Sequence, residues 1–101
     1  MVTHHGFHAT MTALPGRGDE LIALLLAAPA VPHEDCLVFL VGRSASDPDV
    51  VHVTEGWTSA AAHSAFFATA PARALVAAIG PLLAGEPVIT DETPVGGKTF
   101  R

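Results

Sequence analysis

The segment between Asp47 and His63 places the only tryptophan of the chain where a strand should meet a helix. An Asp-Pro-Asp turn opens the segment, and the β-branched run after it is typical of a strand that ends at Trp57. Thr58 or Ser59 then supplies a side-chain oxygen that can cap a helix. His63 falls on that helix. The spacing therefore predicts a small aromatic pocket at the junction of strand and helix.

Strand and helix signals alternate along the rest of the chain. Period-two alternation predicts a strand over 4–13, with Phe7, Ala9 and Met11 on one face. Further strands are predicted over 36–43, 50–57 and 88–93, and helices after Gly18, after Thr58 and at Pro71. We expect Gly80-Pro81 to kink or shorten the last helix. The order β-α-β-β-α-(α)-β predicts an α+β ferredoxin-like split βαβ fold: a four-stranded antiparallel sheet with helices on one face, in one domain spanning 1–101.

The strand from Cys36 to Arg43 is apolar on both faces, unlike an edge strand that faces water. Helices cover only one side of a ferredoxin-like sheet, so a second copy of the chain is needed to cover the other. Covering ~500 Å² of apolar surface per subunit would contribute on the order of 10 kcal/mol before the cost of association. We therefore predict a homodimer.

Composition excludes several classes of function. The formal net charge is −5 and no basic run is present, which argues against a nucleic-acid partner. The longest apolar run, from Leu21 to Ala30, is too short to span a membrane. No secretion leader is visible after Met1. Cys36 is the only cysteine, as expected for a protein of the reducing cytoplasm.

Three segments resemble the antibiotic biosynthesis monooxygenase family, particularly its quinol monooxygenase-like members. They are Val-His-Val-Thr-Glu-Gly-Trp-Thr-Ser-Ala-Ala-Ala-His at 51–63, Gly-Pro-Leu-Leu-Ala-Gly at 80–85 and Pro-Val-Gly-Gly-Lys at 94–98. The resemblance implies a dimeric α+β barrel. It also implies oxidation of a quinol or an anthrone-like polyketide by O₂ without flavin, metal or other cofactor.

This chemistry makes modest demands on a protein. Triplet O₂ reacts poorly with closed-shell organic molecules unless they give up one electron readily, as a deprotonated quinol or anthrone does. The site must hold the aromatic ring, favour its anion through a base or a hydrogen bond, and exclude bulk water. No dinucleotide-binding glycine pattern, phosphate loop or metal motif is present in the sequence.

Four residues are candidates for catalysis: Trp57, His63, Glu55 and His52. Trp57 is either a stacking wall of the pocket or a buried core ring. His63 is either a base or a polar residue on the outer surface of its helix. Glu55 should share the face of Trp57, where it can accept a hydrogen bond from a quinol or pair with an arginine. His52 falls on the opposite face unless a bulge near Gly56 reverses the alternation.

Apolar residues at suitable positions are candidates for binding the substrate, with plain core packing as the alternative. They are Phe7, Met11, Val53, Phe66 and Phe67. A metal site at the amino end is not expected, because His4 and His8 would lie ~13 Å apart along a strand.

The chain departs from the pattern of the family that it resembles in containing no Asn, Gln or Tyr. Ala9 stands where members that degrade haem or oxidise anthrones are expected to place an asparagine, and Val53 occupies the position four before Trp57. These departures weaken the interpretation of the chain as a haem-degrading enzyme, and an oxygenase would rely on histidine or Glu55. The leading interpretation is a cofactor-independent monooxygenase. The alternatives are a non-catalytic dimeric binding or accessory protein, and a non-oxidative isomerase on the same scaffold.

Overall fold

The computed structural model describes residues 2–98 and confirms the α+β ferredoxin-like fold. Four strands form one antiparallel sheet in the order β2-β3-β1-β4. The strands are β1 (His5–Thr12), β2 (Cys36–Arg43), β3 (Val50–Trp57) and β4 (Val88–Glu92). The helices are α1 (Gly18–Leu26), α2 (Ala60–Phe67) and α3 (Ala70–Ile79), followed by a 3₁₀ turn at Gly80–Leu82.

The helix ends follow from local chemistry. The Ser59 hydroxyl accepts a hydrogen bond from the backbone N–H of Ala62 and caps α2. Thr69 caps α3 in the same way, with Pro71 in the first turn, where its missing N–H costs nothing. The α-helical hydrogen bonding stops before Pro81, as the sequence predicts.

The hydrophobic core lies between the helices and one face of the sheet. Its largest fully buried side chains are Trp57, Leu21, Val51 and Val53. Ile79 and Leu82 close the core from the α3 side. The face of β3 that carries Val51, Val53 and Trp57 therefore points towards the helices.

The β2–β3 turn is tied to the start of α1 by one carboxylate. Asp49 accepts hydrogen bonds at 3.0 Å from the backbone N–H groups of both Gly16 and Gly18. An added Cβ at Gly18 would lie 2.3 Å from the Pro48 carbonyl oxygen, so only glycine allows this approach. The contact places negative charge at the helix N-terminus, where it is stabilising.

The second face of the sheet is uncovered within one chain, and β2 forms an edge of the sheet. Leu40 on β2 and Val88 on β4 are 53% and 66% exposed. Coverage of both faces of β2 therefore requires a second molecule and stays a prediction.

Within residues 2–98, no single helix is long and apolar enough to cross a bilayer. The segments α2 and 70–82 reach that length and apolar character only when counted together, and the pair is bent by 73°.

Candidate active site

A cavity of about 1040 Å³ lies between the helices and the covered face of the sheet. Alternate residues of β1 form its floor, from His5 through Phe7 and Ala9 to Met11. Val53 continues this floor on β3, and α2 and α3 form the opposite wall. The lining is mostly apolar, which suits an organic ligand.

Four of the five titratable residues that line the cavity gather at one end. Strand pairing sets Glu55 of β3 and Asp91 of β4 opposite Phe7 from its two sides. His5 begins the same strand, and His63 reaches the cavity from α2. The cavity thus has two carboxyl groups and two imidazoles near its aromatic end, which is a grouping able to accept and donate protons.

His63 is surrounded by rings. Its centroid lies 4.9 Å from that of Phe7, 5.1 Å from Trp57 and 5.5 Å from His5, with which it stacks. Burial lowers the pKa of His63, His5 lowers it further, and Asp91 acts in the opposite direction. The imidazole is therefore mainly neutral near pH 7, the form in which it accepts a proton.

Glu55 is held by the indole of Trp57, whose Nε1–H donates a 2.9 Å hydrogen bond to Oε1. Burial raises the pKa of the Glu55 carboxyl, while this hydrogen bond opposes the rise. A carboxyl whose pKa moves towards neutrality serves in either direction of proton transfer. One of its oxygens is fixed by Trp57, which sets the orientation of the group in the cavity.

The structure brings most of the predicted site residues together. Both His63 and Glu55 line the cavity, and so do all five predicted substrate-binding residues: Phe7, Met11, Val53, Phe66 and Phe67. Trp57 is fully buried behind them, with the rings of His63 and Phe66 each 5.1 Å from its own. Its placement matches the alternative of a buried core ring, and its hydrogen bond to the cavity lining is the one to Glu55.

His52 lies on the other face of the sheet and does not line the cavity. Its Nδ1 is 3.1 Å from the Thr10 hydroxyl, and its pairing with Thr10 shows that the strand keeps its alternation near this point. A bulge does occur, but on β2 between Cys36 and Val38 rather than on β3. Within the single chain, His52 therefore lies outside this cavity, on the face that alternation predicts, and a catalytic role for it stays a prediction.

Two ionisable residues at the aromatic end of the cavity, His5 and Asp91, escaped the sequence reasoning. His5 shares the period-two face of Phe7, so the alternation of β1 contained the signal for it. Asp91 reaches the site through the pairing of β4 with β1, which no local pattern reveals. His5 and Asp91 are not part of a metal-binding cluster: among residues 2–98, no three or more His, Cys, Asp or Glu side chains are placed to hold an ion.

The single cysteine lies outside the cavity lining. Burial raises the pKa of Cys36 to about 11, so its thiol stays protonated at neutral pH.

Known structures share this architecture over nearly their whole length. A protein of Chloroflexus aurantiacus described as a "putative antibiotic biosynthesis monooxygenase" is 34% identical, with a TM-score of 0.80 over 95% of this chain and 97% of its own. A Caulobacter crescentus protein with the same description is 29% identical, with a TM-score of 0.80 over 93% and 92%. A Bacteroides thetaiotaomicron protein described as a "possible oxidoreductase" shares the fold at 18% identity, with a TM-score of 0.80 over 90% and 97%.

A comparison with functionally curated proteins gives no match. The sequence model of one family, antibiotic biosynthesis monooxygenase, matches residues 5–78. That range contains β1, β3 and α2, the elements that carry Glu55 and His63. The chain belongs to the antibiotic biosynthesis monooxygenase family.

Proposed function

We propose that this protein is a cofactor-independent monooxygenase that oxidises a quinol or a polycyclic, polyketide-like aromatic with O₂. We place it in the cytoplasm, because a single cysteine cannot form an internal disulfide and therefore suits a reducing compartment. The observation that supports the activity best is the meeting of His63 and Glu55 at the aromatic end of one cavity. The family membership of the chain supports the same reading.

Binding depends on the rings around His63. Phe7 and Phe67 lie with their centroids 4.9 and 6.0 Å from the imidazole. An aromatic substrate that enters this end replaces water against these faces, and offset or edge-to-face ring contacts stabilise it further. Its hydroxyl group then comes within reach of the proton-accepting groups of the cavity.

Deprotonation is the step that the protein must assist. Neutral His63 accepts the proton of the phenol, and the resulting imidazolium is stabilised by the nearby Asp91 carboxylate. Glu55, oriented by Trp57, hydrogen-bonds the second hydroxyl of a quinol. Neither step requires a group that the chain does not supply.

The oxidation then follows from the substrate anion. The anion gives one electron to O₂, the resonance-stabilised substrate radical and superoxide combine at carbon, and the hydroperoxide loses water. A hydroquinone and O₂ thereby yield a hydroxyquinone and H₂O, and an anthrone and O₂ yield an anthraquinone and H₂O. The proton on His63 returns to the departing oxygen, which restores the neutral base.

The test is O₂ uptake by the purified protein with reduced menadione or an anthrone, in the presence of a chelator. We expect a rate above the uncatalysed background that falls at least about a hundredfold in His63→Ala, the usual loss on removing a general base. His4→Ala is the matched control, because it removes an exposed imidazole that does not line the cavity. A background rate across a broad panel of quinols and anthrones would refute the oxygenase.

We also propose that two copies pair through the uncovered face of the sheet. This face presents Leu40 and Val88 to solvent, next to the polar side chains of His8 and His52. Leu40→Glu should convert a dimer to a monomer in light scattering after gel filtration, because burying an unpaired carboxylate costs several kcal/mol. Leu26→Glu, at an exposed position on α1, is the control. A native chain that is monomeric at micromolar concentration contradicts this pairing.

A second candidate is a non-oxidative isomerase. A neutral imidazole and a carboxyl of raised pKa that line one cavity are favourable for moving a proton between two atoms of one substrate, with no need for O₂. Product formed equally under anaerobic and aerobic conditions would identify this activity. Product formed only in air would identify the oxygenase.

A further inference from the structure

We propose that the cavity binds an amphiphilic aromatic: a hydroxylated ring carrying an alkyl or isoprenoid chain of roughly eight or more carbons. The inference rests on the proposed function for its ring end. It goes beyond that function in assigning the other end of the cavity to an apolar chain, and its test does not require turnover.

The length of the cavity exceeds that of a bicyclic quinol. Four alternate residues of β1, from His5 to Met11, line it in sequence. At ~3.3 Å per residue, these positions span ~20 Å along the floor. The volume of about 1040 Å³ is at the upper end of the range for drug-sized ligands, roughly 300–1,000 Å³. A two-ring quinol held at His63 leaves unfilled the half of the cavity that Ala9 and Met11 line.

The two ends differ in chemistry. Glu55 is paired with Phe7 on one side and with Phe39 on the other, so these two rings share its row of the sheet. Phe66 and Phe67 belong to the same end through their contacts with Trp57 and His63. All the aromatic and ionisable lining groups of β1, β3 and α2 thus surround the position of a hydroxylated ring.

The opposite end is aliphatic. It is lined by Met11, Leu25, Leu75, Ile79 and Leu83, most of which pack on the hydrophobic core. Leu83 and the next residue join β1 at its far end, through the bridge to Ala13 and the hydrogen bond to Thr12. The ionisable group at this end, Glu86, is exposed at the rim.

Aliphatic walls without aromatic faces fit a flexible hydrocarbon better than a fourth or fifth fused ring. Each methylene placed against them should tighten binding about twofold to fourfold, the upper value being full transfer out of water. The proposed ligand therefore has its hydroxylated ring at Glu55 and His63 and its chain between β1 and α3.

The experiment measures dissociation constants of 1-naphthols with a 2-methyl, 2-butyl or 2-octyl group, by calorimetry and without oxygen. We expect the octyl compound to bind at least about a hundredfold more tightly than the methyl compound. Equal affinity across the series would overturn the proposal. Because no turnover is measured, a missing oxygenase activity with a preserved chain-length dependence would refute the proposed function and leave this inference standing.

A variant tests where the chain lies. Ala84→Trp places a large ring at the far rim of the cavity, at a position that is exposed and therefore tolerant. We expect the ratio of octyl to methyl affinity to fall at least tenfold. Ala45→Trp, in a loop that does not line the cavity, should keep the ratio of the native chain. An unchanged ratio in Ala84→Trp, with native thermal stability, would show that the chain binds elsewhere and overturn the proposal.

Discussion

Replacing Trp57 with phenylalanine tests whether the indole stabilises the site from behind rather than contacting substrate. The indole is fully buried, and its Nε1–H donates the 2.9 Å hydrogen bond to Glu55. A phenyl ring fills most of the same space among the rings of His33, His63 and Phe66 but cannot donate. The variant therefore isolates the hydrogen bond and a modest loss of packing.

The expected loss has two parts. A hydrogen bond to a charged group contributes about 1.5–3 kcal/mol, and the lower value applies because water still reaches the half-buried Glu55. Full truncation of a buried Trp costs about 3–5 kcal/mol, so loss of only the second ring costs about 1 kcal/mol. The free energy of unfolding should fall by about 2.5 kcal/mol. At about 4–8 °C per kcal/mol, the Tm should fall by about 10–20 °C.

The assay is urea unfolding followed by far-UV circular dichroism at one protein concentration, since the substitution removes the fluorophore. Glu55→Leu removes the oxygen acceptor, so the double-mutant cycle of Trp57→Phe with Glu55→Leu separates the hydrogen bond from packing. We expect a coupling energy of about 1 kcal/mol. A loss below 1 kcal/mol with no coupling would refute the assignment of Trp57 as the group that orients Glu55.

Three further predictions follow from the site and its support. Burial and His5 lower the pKa of His63, so the neutral base persists to lower pH and the acid limb of kcat/KM should lie below pH 6.5. A pH profile whose acid limb lies above 6.5 would contradict this. Burial raises the folded-state pKa of Glu55, so its contribution to stability is present below the unfolded pKa of about 4.3 and is lost as pH rises through the folded value. Glu55→Gln should therefore gain stability relative to the native chain from about pH 4 to pH 7, measured by urea unfolding at both ends, and equal differences at both would refute the direction. Asp49→Ala should lower the free energy of unfolding by about 2 kcal/mol, because two backbone N–H groups lose their charged acceptor. Asp49→Asn should lower it by about half as much, because one of the two N–H groups keeps an oxygen partner. Similar Tm values for the native chain and both variants would contradict the capping role.

The strands and their facing were predictable because each has a strong local pattern. The β2 and β3 ranges agree with the sequence reading to the residue, and β1 and β4 differ only at their ends. Alternation alone put Glu55 on the face of Trp57 and His52 on the other. Proline and capping side chains fixed the helix ends in the same local way.

The site was less predictable where it depends on pairing between distant strands. Alternation cannot tell that Asp91 of β4 lies beside Phe7 of β1, because that requires the register of two strands more than seventy residues apart. The depth at which a side chain sits is also a tertiary property. The same sequence signal that puts Trp57 at a strand end is compatible with a ring in the cavity or behind it, and the packing of His33 and Phe66 decides for the second.

The burial of Trp57 changes what the absence of Asn, Gln and Tyr implies for this chain. A neutral amide or phenol would hold a substrate hydroxyl by hydrogen bonding without moving a proton, whereas the polar groups that line the ring end here include Glu55, His63 and Asp91. Burial moves the pKa of the carboxyl up and that of the imidazole down, so the two approach each other from opposite sides. A carboxyl and an imidazole shifted in these directions can accept and donate protons at a bound hydroxyl, and the walls around them are mostly apolar. Since two carboxyl groups also flank the position, the site should favour neutral hydroxylated rings and discriminate against rings that carry a carboxylate of their own.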